Sequence, residues 1–104
     1  MMTIDQRETI IELYDTYGSL LTDKQRSYFE DYYFADLSIS EIADNYRISR
    51  NAVFDQLKRV VQNLEEYEKK LHYVEKCSRI FQLEIPEQLK EELLNILKGE
   101  DYGI

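Results

Sequence analysis

Residues 38–59 read SISEIADNYRISRNAVFDQLKR, two helix starts in twenty-two residues. Ser38-Ile39-Ser40-Glu41 has the form of a capping box. The serine hydroxyl accepts from a backbone N–H three residues on, and the glutamate reaches back to the serine N–H. The box opens a short helix, Ile39 to about Tyr46, with Ile42, Ala43 and Tyr46 facing inward. Ser49 is a further N-cap and starts a second helix at Arg50. Only a tight turn at Arg47-Ile48 separates the two. Ala43 is small and stands where the helices must cross closely, while Ile48, Val53 and Leu57 lock the second helix onto the first. Two short capped helices crossing steeply over one small core form a helix-turn-helix, whose second helix enters the major groove of DNA. An αα-corner inside an ordinary helical bundle would share this layout.

The second helix of the pair carries the candidate site. Arg50, Asn51, Phe54, Asp55, Lys58 and Arg59 point away from the Val53/Leu57 stripe. Ser49 to Val61 holds three bases and one acid, a local +2 in a chain of net charge −8. Arg and Asn near a helix start match bidentate reading of guanine and adenine edges. Lys58 and Arg59 are placed for phosphates. Asp55 repels phosphate unless it accepts from a cytosine, and it stands at i,i+4 to Arg59. A solvated helix face would have a similar composition.

Upstream, Thr22-Asp23-Lys24-Gln25 is another capping box. It predicts a helix from Asp23 to about Phe34 with Tyr28, Phe29, Tyr32 and Tyr33 on or beside its buried face. Those aromatic pairs read as core rather than as a stacking platform for single strands. Ile4, Ile11, Tyr14 and Tyr17 predict a first helix ending near Gly18, a residue suited to a left-handed stop. Downstream, Val53, Leu57, Val60, Leu64, Tyr67, Leu71, Val74, Ser78 and Phe81 keep a 4-3 spacing. The spacing predicts one unbroken helix from Arg50 to about Gln82, roughly 50 Å long. Glu65–Lys69, Glu66–Lys70 and Glu75–Arg79 decorate its outside. Pro86 fits the first turn of a final helix with the stripe Leu89, Leu93, Ile96 and Leu97, and Gly99 is its stop.

The expectation is an all-α single domain, 1–104, of five helices without a wing. Its parts are a helix-turn-helix core at 22–61, an extension of the long helix at 62–82 and a C-terminal helix at 86–98. The seam of Leu57, Val60, Leu64, Tyr67, Leu71 and Val74 is too long for one small core to cover. A homodimer about a two-fold axis is therefore expected, with the final helix folding back over part of the seam.

Composition limits the function. The chain has 104 residues, 43% apolar and 33% charged, which suits one globular domain rather than disorder. Three Gly and one Pro argue against a barrel, a sandwich or a Gly-rich phosphate loop. Cys77 and His72 are the only residues of their types, too few for a disulfide or a structural zinc site. They read as packing residues five apart on one helix. No nucleophile–base pair or ligand cluster stands out, so no enzyme activity, metal or cofactor is expected. No apolar run reaches membrane-spanning length and no signal core opens the chain, so the expectation is a cytoplasmic protein without membrane insertion. Net charge is −3 over 1–21, −1 over 22–60 and −4 over 61–104. Acidic flanks oppose sequence-blind nucleic-acid binding. They also support a second function class, an interaction module that keeps the helix-turn-helix scaffold. Its acidic flanks or long helix would then bind a basic protein or ribonucleoprotein.

The segment from Leu20 to about Leu71 resembles the YlxM-type helix-turn-helix proteins, small proteins of Gram-positive bacteria. Leu-Thr-Asp-Lys-Gln-Arg at 21–26, Tyr-Tyr at 32–33, Ser-Ile-Ser-Glu-Ile-Ala at 38–43 and Ile-Ser-Arg-Asn-Ala-Val-Phe-Asp at 48–55 carry the resemblance, with Leu-Glu-Glu-Tyr-Glu-Lys-Lys-Leu at 64–71 downstream. The resemblance implies a fold similar to region four of bacterial sigma factors. It also implies a gene beside those of the signal recognition particle, and hence a role in, or regulation of, that targeting pathway. DNA and signal recognition particle components are the partners it suggests. Sigma-like relatives often have Gly in the turn where this chain has Arg47, and a left-handed conformation there would be mildly strained.

Overall fold

The computed structural model describes residues 2–98. Among them the chain forms α1 (Ile4–Tyr17), a 3-10 turn (Gly18–Leu20), α2 (Asp23–Tyr33), α3 (Ile39–Tyr46), α4 (Arg50–Leu71), α5 (Tyr73–Phe81) and α6 (Glu87–Lys98), with no strand. The all-α class agrees with the sequence reading. The helix count is six rather than five, and Gly99 lies outside the described residues.

Polar residues set the helix starts. Thr22/Gln25 and Ser38/Glu41 close the expected capping boxes, and Thr3/Gln6 closes a further one at α1. In each the hydroxyl accepts at 3.0–3.2 Å and the third residue's side chain answers at 2.9–3.0 Å. One such cap contributes about 1 kcal/mol.

Two backbone positions depart from expectation. Gly18 is not a left-handed stop: it stays right-handed (φ −57°, ψ −31°) and leads into the 3-10 turn. Its missing side chain gives room instead, because a Cβ there would lie 3.2 Å from the Tyr14 ring. The long helix is not continuous to Gln82. His72 takes a left-handed conformation (φ 52°, ψ 27°), so α4 ends at Leu71 and α5 begins at Tyr73. Apolar spacing survives such a break because both helices are amphipathic, and the 4-3 pattern therefore could not reveal it. The span 62–82 is thus the end of α4 followed by α5.

The chain divides by its own contacts into two units, Met1–Lys70 and Leu71–Ile104. In the first unit α4 supplies the spine. Val53, Leu57, Val60 and Leu64 are all buried, each burial worth about 1.5–3 kcal/mol. Val53 and Leu57 meet Tyr28, Ile42 and Ala43, so α2, α3 and the start of α4 share one core. On α1, Tyr14 stacks on Phe29 with centroids 4.1 Å apart, and Phe29 stacks on Tyr33 at 4.3 Å. Tyr17 meets Tyr67 at 6.0 Å and donates its hydroxyl to Glu68 at 2.5 Å. Arg7 donates to the Tyr33 carbonyl at 2.6 Å and lies over the Tyr33 ring at 5.1 Å. A cation there answers the orphan carbonyls and the negative end of α2.

The second unit is built differently. None of its described residues is buried. Lys90 of α6 lies 5.6 Å from the centre of the Phe81 ring on α5. Among the described residues no helix is long and apolar enough to cross a membrane.

Candidate nucleic-acid interface

The turn between α3 and α4 has the hydrogen bonds of a Schellman motif. Arg47 is left-handed (φ 56°, ψ 46°). The Ile48 N–H donates to the Ala43 carbonyl at 3.1 Å and the Arg47 N–H to the Asp44 carbonyl at 3.3 Å. Ile48 then packs on the α2–α3–α4 core. The Ser49 hydroxyl accepts from the Ala52 N–H at 3.0 Å and caps α4, as the sequence indicated. From behind, the Tyr46 hydroxyl donates to the Asp31 carboxylate at 2.9 Å while its ring meets Tyr28 edge-on at 4.7 Å. Burial, reinforced by the neighbouring Asp31 carboxylate, raises the Tyr46 pKa above the usual tyrosine value. These contacts fix where α4 begins and which way its first turns face.

Arg50, Asn51, Phe54, Asp55, Lys58 and Arg59 are all exposed. At about 100° per residue, Asn51, Asp55, Lys58 and Arg59 lie on the side opposite Val53, Leu57 and Val60, whereas Arg50, seven residues before Leu57, does not point away from the stripe as expected: it falls on the stripe's own side and is exposed where α4 begins. Phe54 sits toward one flank at 55% exposure. With Lys58 it edges an open groove of about 440 Å³ whose other walls include Tyr32, Ile39, Leu57 and Val61. This groove had no signal in the sequence, since it depends on how α2, α3 and α4 meet. Among the described residues no ion pair joins Asp55 to Arg59, and Arg47, Arg50, Lys58 and Arg59 make no side-chain hydrogen bond or ion pair. Arg47 therefore adds a cation beside the helix start, besides forming the turn. Of the decorating pairs, Glu66–Lys70 closes at 3.6 Å.

The seam residues part company. Leu57, Val60 and Leu64 are inside the first unit, and Tyr67 is half-buried there. Leu71 is exposed and Val74 half-buried.

The family described as "Putative helix-turn-helix protein, YlxM / p13 like" matches residues 4–101. The chain belongs to this family. It is 51% identical over 89 residues to the UPF0122 protein of Geobacillus sp. (strain WCH70), covering 86% of this chain and 78% of that one. It is 40% identical over 103 residues to the UPF0122 protein of Lactococcus lactis subsp. cremoris (strain MG1363), covering 99% and 87%. A shorter match, 56% over 64 residues, links it to the UPF0122 protein of Shouchella clausii (strain KSM-K16), covering 62% of this chain and 59% of that relative. The family's description agrees with the helix-turn-helix built at Ile39–Leu71 and points to a non-enzymatic role.

Proposed function

We propose that the protein is a DNA-binding regulator that lays the start of α4 in the major groove. The observation that carries this reading is the set of six exposed residues on a helix whose start is fixed by the Arg47 turn and the Ser49 cap. Arg50 and Asn51 stand at the helix start and are the base-reading pair. Lys58, Arg59 and Arg47 serve phosphates, and Phe54 offers an apolar edge for a thymine methyl. The acidic flanks keep non-specific affinity low, so binding depends on sequence. A second copy, expected from the apolar residues left over, would present two such faces to one duplex.

The test starts from a pool of random duplexes selected for binding at low salt. A selected duplex should bind, with affinity falling steeply as salt rises. Arg50→Ala should cost about 1–3 kcal/mol and relax the preference at one position, while Lys58→Ala should lower the salt slope by roughly one unit. Failure to select any duplex at low salt rules the reading out.

The net charge of −8 favours a second reading, an interaction module that binds a basic partner through its acidic flanks. By family resemblance that partner is a component of the signal recognition particle, whose pathway the protein would serve or regulate. Capture of a partner that survives nuclease treatment and is unchanged by Arg50→Ala favours this second reading over the first.

A further inference from the structure

We infer that Leu71–Ile104 is a self-association unit: α6 of one copy docks on the α5–α6 groove of a second copy. The inference rests on the two-copy part of the reading above and is independent of whether α4 binds DNA.

The first argument is size against burial. Autonomous domains below roughly 40 residues need a disulfide, a metal or association to hold a fold. This unit is shorter than that and none of its described residues is buried. Its lone Cys77 gives no internal disulfide. Yet it presents large apolar side chains to water, with Phe81 at 66% and Ile96 at 54% exposure. Such a face on so short a unit calls for a cover.

The second argument is charge, and it selects the occupant. A groove of about 380 Å³ runs between the helices, with Ile80, Leu83 and Leu97 as its apolar wall and Lys76 and Arg79 on its rim. What fits is an apolar ridge carrying a carboxylate. The unit itself has one: Leu89, Glu92 and Ile96 follow i, i+3, i+7 spacing along α6 and all are exposed. Leu89 and Ile96 fill the groove and Glu92 meets the Lys76/Arg79 rim. Two copies related by a two-fold axis place each one's ridge in the other's groove, and in that arrangement the contact forms twice and closes at two copies.

Sedimentation of the full chain tests this from low micromolar concentration upward. Wild type should run as two chain masses. Lys76→Glu/Arg79→Glu makes both contacts acid against acid, and Glu92→Lys makes both base against base. Each variant alone should shift toward one chain mass with helicity unchanged by circular dichroism. Mixing the two variants restores an opposite-charge pair at both contacts, so the mixture should return to two chain masses as a mixed dimer. A wild type that stays at one chain mass overturns the proposal, and the apolar face then belongs to residues 2–70 or another partner. A dimer unaffected by either variant, or variants not rescued by mixing, also overturns it and places the interface elsewhere. Neither result decides whether α4 contacts a duplex, which the low-salt selection tests separately.

Discussion

Replacing Arg47 with glycine is expected to stabilise the first unit by about 0.5–1 kcal/mol. A left-handed backbone costs an ordinary residue roughly 1–2 kcal/mol. Glycine avoids that but gives up about 0.5–1 kcal/mol through greater freedom in the unfolded chain. At φ 56° and ψ 46° Arg47 sits well inside the left-handed region, so glycine adopts the same backbone and keeps both turn hydrogen bonds. The Arg47 side chain is exposed and makes no hydrogen bond or ion pair among the described residues, so little is lost with it. For a domain of this size 1 kcal/mol corresponds to about 4–8 °C in Tm. Urea unfolding followed by circular dichroism should show a higher midpoint at unchanged slope. Arg47→Val, which puts a branched side chain in the same backbone, should lower the midpoint. An Arg47→Gly midpoint at or below wild type would refute the turn geometry on which the direction of α4 depends.

Leu64→Ala should cost about 2–5 kcal/mol, because Leu64 is fully buried, while an exposed substitution such as Lys69→Ala should stay within about 0.5 kcal/mol; equal urea midpoints would place Leu64 outside the core. Arg7→Leu removes the donor to the Tyr33 carbonyl and should cost about 1 kcal/mol, read the same way. Alkali should destabilise the fold. Burial, the leading cause in each case, raises the pKa of Tyr14, Tyr33 and Tyr46, so the folded state favours the neutral phenol. That stability is complete below the unfolded value of about 10 and is lost as pH rises through the higher folded values. Urea midpoints that stay flat as tyrosinate absorbance grows would contradict this.

The sequence spoke clearly where one local rule decides a position. Ser38 with Glu41 and Thr22 with Gln25 are short-range chemistry, and each box closes as its spacing requires. The burial of Val53, Leu57, Val60 and Leu64 likewise follows from helical periodicity. It was silent where two distant segments meet. Nothing near Arg7 announces that it will reach the end of α2, twenty-six residues away in sequence. It misled where a residue lacks the usual mark of its conformation. His72 breaks a helix without being glycine or proline, and Gly18 invited a left-handed stop although it stays right-handed and its small size answers the close Tyr14 ring instead. Asn51, Asp55, Lys58 and Arg59 could be named from the sequence because exposure is the complement of a periodic core, whereas Arg50 is in register with that core and is exposed because it opens the helix. The groove beside Phe54 could not, because its walls come from three helices.

If the protein is a DNA-binding regulator, the start of α4 meets nucleic acid. Backbone amide shifts of the full chain, titrated with a selected duplex and with a scrambled one, test it most directly. Saturable shifts centred on Arg47–Arg59 are expected with the selected duplex, weaker ones with the scrambled duplex, and none confined to α6. Shifts that leave Arg50, Asn51 and Lys58 unmoved, or that are the same for both duplexes, would contradict it.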